Sequence, residues 1–110
     1  MKSTEAKIQT EIVKYIQTEK LLFCSVPNEA AGKDAAIRMS KLKTMGLKSG
    51  APDLLVFLPG GRTLGLEVKS PTGAQSPAQI DFALKMAERG HLYFVVRSVD
   101  DVKKIVERVR

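Results

Sequence analysis

The sequence has one cysteine, one histidine, no tryptophan and only 5% aromatic residues, and each shortage removes a class of function. A single Cys24 excludes an internal disulfide and a Cys-rich zinc site. Its position in the apolar run from Leu21 to Val26 reads as a buried small hydrophobe and not as a nucleophile. His91 follows Gly90 at an expected helix end and reads as a C-terminal capping residue, not as a catalytic base. Too few aromatic side chains remain to build a platform on which single-stranded bases stack. No apolar run approaches membrane length, and the opening MKSTEAKIQT is polar and mixed in charge, so neither a spanning helix nor a signal peptide is expected. A soluble, cytoplasmic protein with no membrane partner is the expectation.

What is present is a chain of 110 residues, 44% hydrophobic and 27% charged, enough for one globular domain over residues 1–110 and too short for two. The net charge of +6 points to an anionic partner. Its placement says more than its total. Residues 28–52 carry five basic side chains, Lys33, Arg38, Lys41, Lys43 and Lys48, against two acidic ones, and residues 97–110 carry five against three. Residues 53–96 are balanced at four against four. A neutral centre flanked by positive surface suits a polyanion held along its backbone, although any one of these lysines also serves to solvate a helix face.

Ile8, Ile12, Tyr15 and Ile16 recur at helical spacing and predict an amphipathic helix from Ser3 or Thr4 to about Lys20. Glu11 falls at the border of that stripe, within reach of a metal held by a sheet and equally placed to pair with Lys7 or Lys14. Leu21 to Pro27 predicts a short strand, and residues 28–32 a turn. Lys33 to about Met45 reads as a weakly apolar helix, with a loop that orders on DNA or a dimer contact as alternatives. The hairpin follows, turning at Pro59-Gly60-Gly61-Arg62. Its first strand, Leu54 to Leu58, is apolar without alternation and is expected to be central and covered on both faces.

Ser76-Pro77-Ala78-Gln79 then combines an N-cap, a proline at the first helical position and a capping-box glutamine. That helix runs through Ile80, Ala83, Leu84 and Ala87 to a stop at Gly90. Leu92 to Val96 predicts a further buried strand, and Val99 to Val109 a final helix. A strand-helix-strand unit over residues 64–96 predicts a parallel crossover. The fold class is therefore α/β, with a mixed central sheet flanked by helices.

The chemistry sits on the hairpin, GAPDLLVFLPGGRTLGLEVK, from Gly50 to Lys69. Alternation along a strand points Glu67 and Lys69 the same way and Val68 the other, and an antiparallel return brings them towards Asp53. Two carboxylates and an amine converging in this way suit a hard divalent cation, which takes oxygen from one or two carboxylates and keeps several waters. The same residues also occur as a turn cap and a solvated strand pair.

In order, the helix bearing Glu11, then Gly50-Ala51-Pro52-Asp53, Glu67-Val68-Lys69 and Ser76-Pro77-Ala78-Gln79, closely resembles the PD-(D/E)XK nucleases, and more narrowly a stand-alone VRR-NUC domain. The resemblance covers nearly the whole chain, Val26-Pro27-Asn28-Glu29 and Met45-Gly46-Leu47-Lys48 included. It implies a metal-dependent phosphodiesterase with a PD-(D/E)XK nuclease-like core. Asp53 and Glu67 would bind Mg2+ or Mn2+ with the backbone carbonyl of Val68, and Glu11 would bind it directly or stand behind its ligands. Lys69 would hold or polarise the attacking water, and Gln79 would help to position it unless it serves only as a helix cap. The basic residues Lys33, Arg38, Lys41, Lys43 and Lys48 would meet DNA. One small active site that cuts two strands implies a two-fold pair, so the expected enzyme is a homodimeric endonuclease for branched DNA such as four-way junctions. A non-catalytic DNA-binding module, a flap nuclease and a sequence-specific nuclease are the alternatives.

Overall fold

The computed structural model describes residues 2–27 and 32–110, with the backbone alone for Lys2 and Ser3. The expected turn at 28–32 and the Asn28-Glu29 part of the motif before it fall almost wholly outside those residues. The order is α1 (Lys2–Thr18), β1 (Leu22–Ser25), α2 (Ala35–Thr44), β2 (Leu54–Phe57), β3 (Thr63–Val68), α3 (Pro77–Glu88), β4 (Leu92–Val96) and α4 (Val99–Val109). The four strands form one mixed sheet in the order β1-β2-β3-β4. β1 and β3 run antiparallel to β2, and β4 runs parallel to β3 as the crossover around α3 requires.

One face of the sheet makes the core. Leu54, Val56, Leu64, Leu66, Val68 and Val96 pack with Ile12 and Ile16 of α1 and Val102 and Val106 of α4, all essentially inaccessible to water. α4 is fixed at its start by Ser98, whose hydroxyl accepts from the Asp101 N–H, while the Asp101 carboxylate accepts from the Arg97 N–H. The other face carries Asp53, Gly65, Glu67 and Tyr93, with α3 against β4. Gly65 has no side chain because there is no room for one. A Cβ there would lie 2.9 Å from the Pro52 ring and 3.3 Å from Cε of Met86.

Several expectations are corrected. β2 is central, but it is not covered on both faces: Leu54 and Val56 are buried while Phe57 is 40% exposed. The strand buried on both faces is β3, from Leu64 to Val68, because it alone lies between two strands and also under α1 and α3. β4 is an edge strand in which only Val96 is fully buried. Cys24 is exposed, since β1 is the opposite edge and alternation turns Leu22 and Cys24 to a face that nothing covers. On α3 the residues turned to the sheet are Gln79, Phe82, Ala83 and Met86, while Ile80, Leu84 and Ala87 lie outward. That rotation brings Gln79, Phe82 and Met86 to the sheet together and leaves Ile80 and Leu84 exposed.

His91 does cap α3, through its backbone: its N–H donates to the Met86 carbonyl and the Gly90 N–H to that of Ala87. Its side chain does something else. Nδ1 accepts the Thr63 N–H at 2.9 Å and so ties the start of β3 to the start of β4.

Candidate active site

The site is built by register. β2 and β3 pair with Leu54 opposite Leu66, so one further step sets Asp53 opposite Glu67. The ladder continues there, since the Val26 N–H donates to the Asp53 carbonyl at 2.8 Å and the Val68 N–H to Asp53 Oδ2 at 2.7 Å. Main-chain pairing with Val26 on one side and a side-chain hydrogen bond from the Val68 N–H on the other thus fix Asp53 at the rim of the sheet. Glu67 is the only buried acidic side chain among the described residues, 4% exposed. Lys69, two residues on along the same face, places Nζ 3.7 Å from Glu67 Oε2 and is itself largely buried.

Two further groups hold Glu67. Gln79 donates from Nε2 to Glu67 Oε2 at 2.7 Å, while its Oε1 accepts the Ser76 N–H at 2.8 Å and its own N–H donates to the Ser76 hydroxyl. The choice between helix cap and site residue therefore dissolves, because the two ends of one amide do both. Tyr93 on β4 lies with its hydroxyl 3.3 Å from Glu67 Oε1 and 3.2 Å from the Gly50 carbonyl. Nothing in the sequence reading singled out Tyr93. The parallel register that places it beside Gly65, two residues from Glu67 on the same face, was the available signal.

Burial, and next the charge of Asp53, push the Glu67 carboxyl up from its ordinary 4.5 to about 8, against the opposing pull of Lys69. Tyr93 is held above its usual range, first by burial and then by Glu67. Two acids thus face each other here, with the Lys69 amine beside Glu67.

In front of them opens a cavity of about 600 Å³. Asp53, Glu67, Val68, Lys69 and Gln79 line its floor, Lys43 and Met39 of α2 and Lys48 its wall, and Glu5 and Gln9 of α1 its far side. Among the predicted cationic contacts only Lys43 and Lys48 border it; Lys33, Arg38 and Lys41 do not. α2 itself buries no residue.

Glu11 does not reach the cavity. Its side chain is 61% exposed and pairs with Lys14 at 3.5 Å. At about 100° per residue it is turned away from the line of Ile12 and Ile16, whereas Glu5, seven residues before Ile12, lies on that line and projects past the core to the cavity. Glu5 Oε2 accepts from the Ser70 N–H at 3.4 Å, next to Lys69. Heptad spacing from Ile12 was the signal that finds it.

A family model of the VRR-NUC domain matches residues 3–100. The chain belongs to the VRR-NUC family. One solved structure, of a VRR_NUC domain protein, superposes with a TM-score of 0.75 at 22% identity, covering 96% of this chain and 86% of that one. A second, a VRR_NUC domain, gives 0.68 at 27% identity and covers 97% and 98%. No curated protein matches the chain. The VRR-NUC chain thus has a nuclease-type fold, and no helix among its described residues is long and apolar enough to cross a membrane.

Two carboxylates and an adjacent main-chain carbonyl are a fitting donor set for a hard cation, which completes its shell with water. Among the described residues there is no group of three or more His, Cys, Asp or Glu side chains close enough to hold a metal. Asp53, Glu67 and the Val68 carbonyl are the residues that could hold such an ion.

Proposed function

We propose that this VRR-NUC protein is a Mg2+- or Mn2+-dependent endodeoxyribonuclease that acts on branched DNA, four-way junctions first among them, as a homodimer. The observation that carries the reading is the pairing of Asp53 with Glu67 across β2 and β3, with Lys69 Nζ 3.7 Å from the glutamate. A bound cation lowers the pKa of its water and offsets charge on the phosphate. The chain's own residues do the remainder. Asp53 and Glu67 would hold the ion where they line the cavity, and Gln79 keeps Glu67 from turning away. Lys69, 3.7 Å from Glu67 Oε2, adds positive potential beside the attacked phosphate. Glu5, which lines the cavity, would take the part first expected of Glu11. Lys43 and Lys48 hold the phosphates on either side of the cut, with Lys33, Arg38 and Lys41 contacting DNA further out. A homodimer supplies two such sites for two strands.

Cleavage of labelled junction, 5′-flap, single-stranded and duplex DNA, with Mg2+, Mn2+ or EDTA, tests this. Paired symmetrical cuts in the junction that vanish with EDTA are expected. Lys69→Ala should lower the rate by about 10²–10³, the usual loss for one charge-stabilising group, while DNA affinity changes little. Binding of DNA without cleavage under either metal would replace the enzyme with a binding module.

A further inference from the structure

Glu67 has two oxygens, and they are held from different elements. Oε2 takes Gln79 Nε2 from α3 and faces Lys69, whereas Oε1 has Tyr93 of β4 at 3.3 Å. We propose that Tyr93 is a positioning residue of the VRR-NUC site, which fixes the rotation of the Glu67 carboxylate by engaging the oxygen that Gln79 and Lys69 leave free. The inference rests on the metal-site reading given above.

The geometry supports it in three ways. A carboxylate accepts at about four lone-pair positions, so one donor on each oxygen leaves one position on each to point at Asp53 and the cavity. Without Tyr93 the carboxylate loses its only tether from β4 among the described residues and is held from the side of α3 and Asp53. Tyr93 also lies against the Gly50 carbonyl at 3.2 Å and hydrogen-bonds the side chain of Gln75, so its hydroxyl is itself fixed by two loops. Finally, the parallel register sets Tyr93 opposite Gly65, two residues from Glu67 on the same face. Groups that orient a metal's ligands commonly change affinity by 10–100-fold when removed. A single hydroxyl shared between two acceptors, at 3.2 and 3.3 Å, belongs near the lower end.

The test is calorimetric titration of Mn2+ into metal-free protein, without DNA, for the wild type, Tyr93→Phe and Glu67→Gln, with thermal melting of each metal-free form. Tyr93→Phe keeps the ring, so a merely structural role would leave Mn2+ affinity alone even if melting shifted. The expected result is about tenfold weaker Mn2+ binding in Tyr93→Phe and none in Glu67→Gln. Affinity within twofold of wild type in Tyr93→Phe, with Glu67→Gln still abolishing binding, overturns the role of Tyr93 and leaves the metal site standing. Wild-type binding in Glu67→Gln overturns both.

Discussion

Without a bound metal this protein should lose stability as pH rises through neutrality, opposite to the behaviour of an ordinary salt-bridged carboxylate. The Glu67 carboxyl is at about 8 in the fold and near 4.5 without it. Below about 4.5 both states hold the proton, so this group adds no pH dependence. Between about 4.5 and about 8 the folded chain keeps a proton that the unfolded chain has released, and each unit of rise costs folding about 1.4 kcal/mol. Above about 8 both states are ionised and the loss is complete. Over the whole interval the loss amounts to no more than about 5 kcal/mol, set against a total of about 5–15 kcal/mol for a domain of this kind. The effect should therefore dominate the profile.

Urea unfolding in EDTA at pH 5, 6, 7 and 8, for wild type and Glu67→Gln, measures it. Glutamine keeps the shape and cannot ionise. The two proteins should be close at pH 5, and wild type should fall behind by a few kcal/mol at pH 8. Excess Mn2+ should restore wild type increasingly with pH, because the ion displaces the proton and its apparent affinity rises about tenfold per unit below pH 8. A stability difference between the two proteins that is the same at pH 5 and pH 8 refutes the reasoning.

Two other perturbations separate fold from site. Gly50 has φ +91°, and a Cβ there would lie 2.2 Å from the Ala78 carbonyl oxygen, so Gly50→Ala should cost about 2–5 kcal/mol in urea unfolding; a loss under 1 kcal/mol would show that the loop and α3 part easily. Ser76→Ala removes only the cap and should cost about 1 kcal/mol with Mn2+ affinity unchanged. Gln79→Ala should cost a similar amount and weaken Mn2+ binding as well, which calorimetry against Ser76→Ala will show.

The elements were legible wherever local chemistry dictates them. Ser76, Pro77 and Gln79 start α3 by a mechanism confined to four residues, and the helical period of Val102 and Val106 survives in α4 because that face meets the sheet directly. Burial was less legible, because it depends on what lies beyond the element. Leu54 to Phe57 and Leu92 to Val96 are equally apolar, yet the first is central and the second an edge. Cys24 is exposed for the same reason. In the site, Asp53, Glu67 and Lys69 follow from strand alternation plus a hairpin, a relation readable over 17 residues of sequence. Glu5 and Tyr93 depend on where α1 ends above the sheet and on the register of β4, neither of which is a local property.

The arrangement divides the two tasks of the sheet between its faces. The apolar side chains of β2 and β3 that meet α1 and α4 hold the fold, while Asp53 and Glu67 stand on the other side with α3 as their cover. A buried acid is expensive to ionise, and here its partners are Lys69 just past β3, Gln79 of α3 and Tyr93 of β4, so no single element carries the site. None of those partners belongs to the hydrophobic cluster. The charge at Glu67 can therefore be removed without opening the core, which is why neutral glutamine at that position reports on the site's chemistry and not on collapse of the sheet.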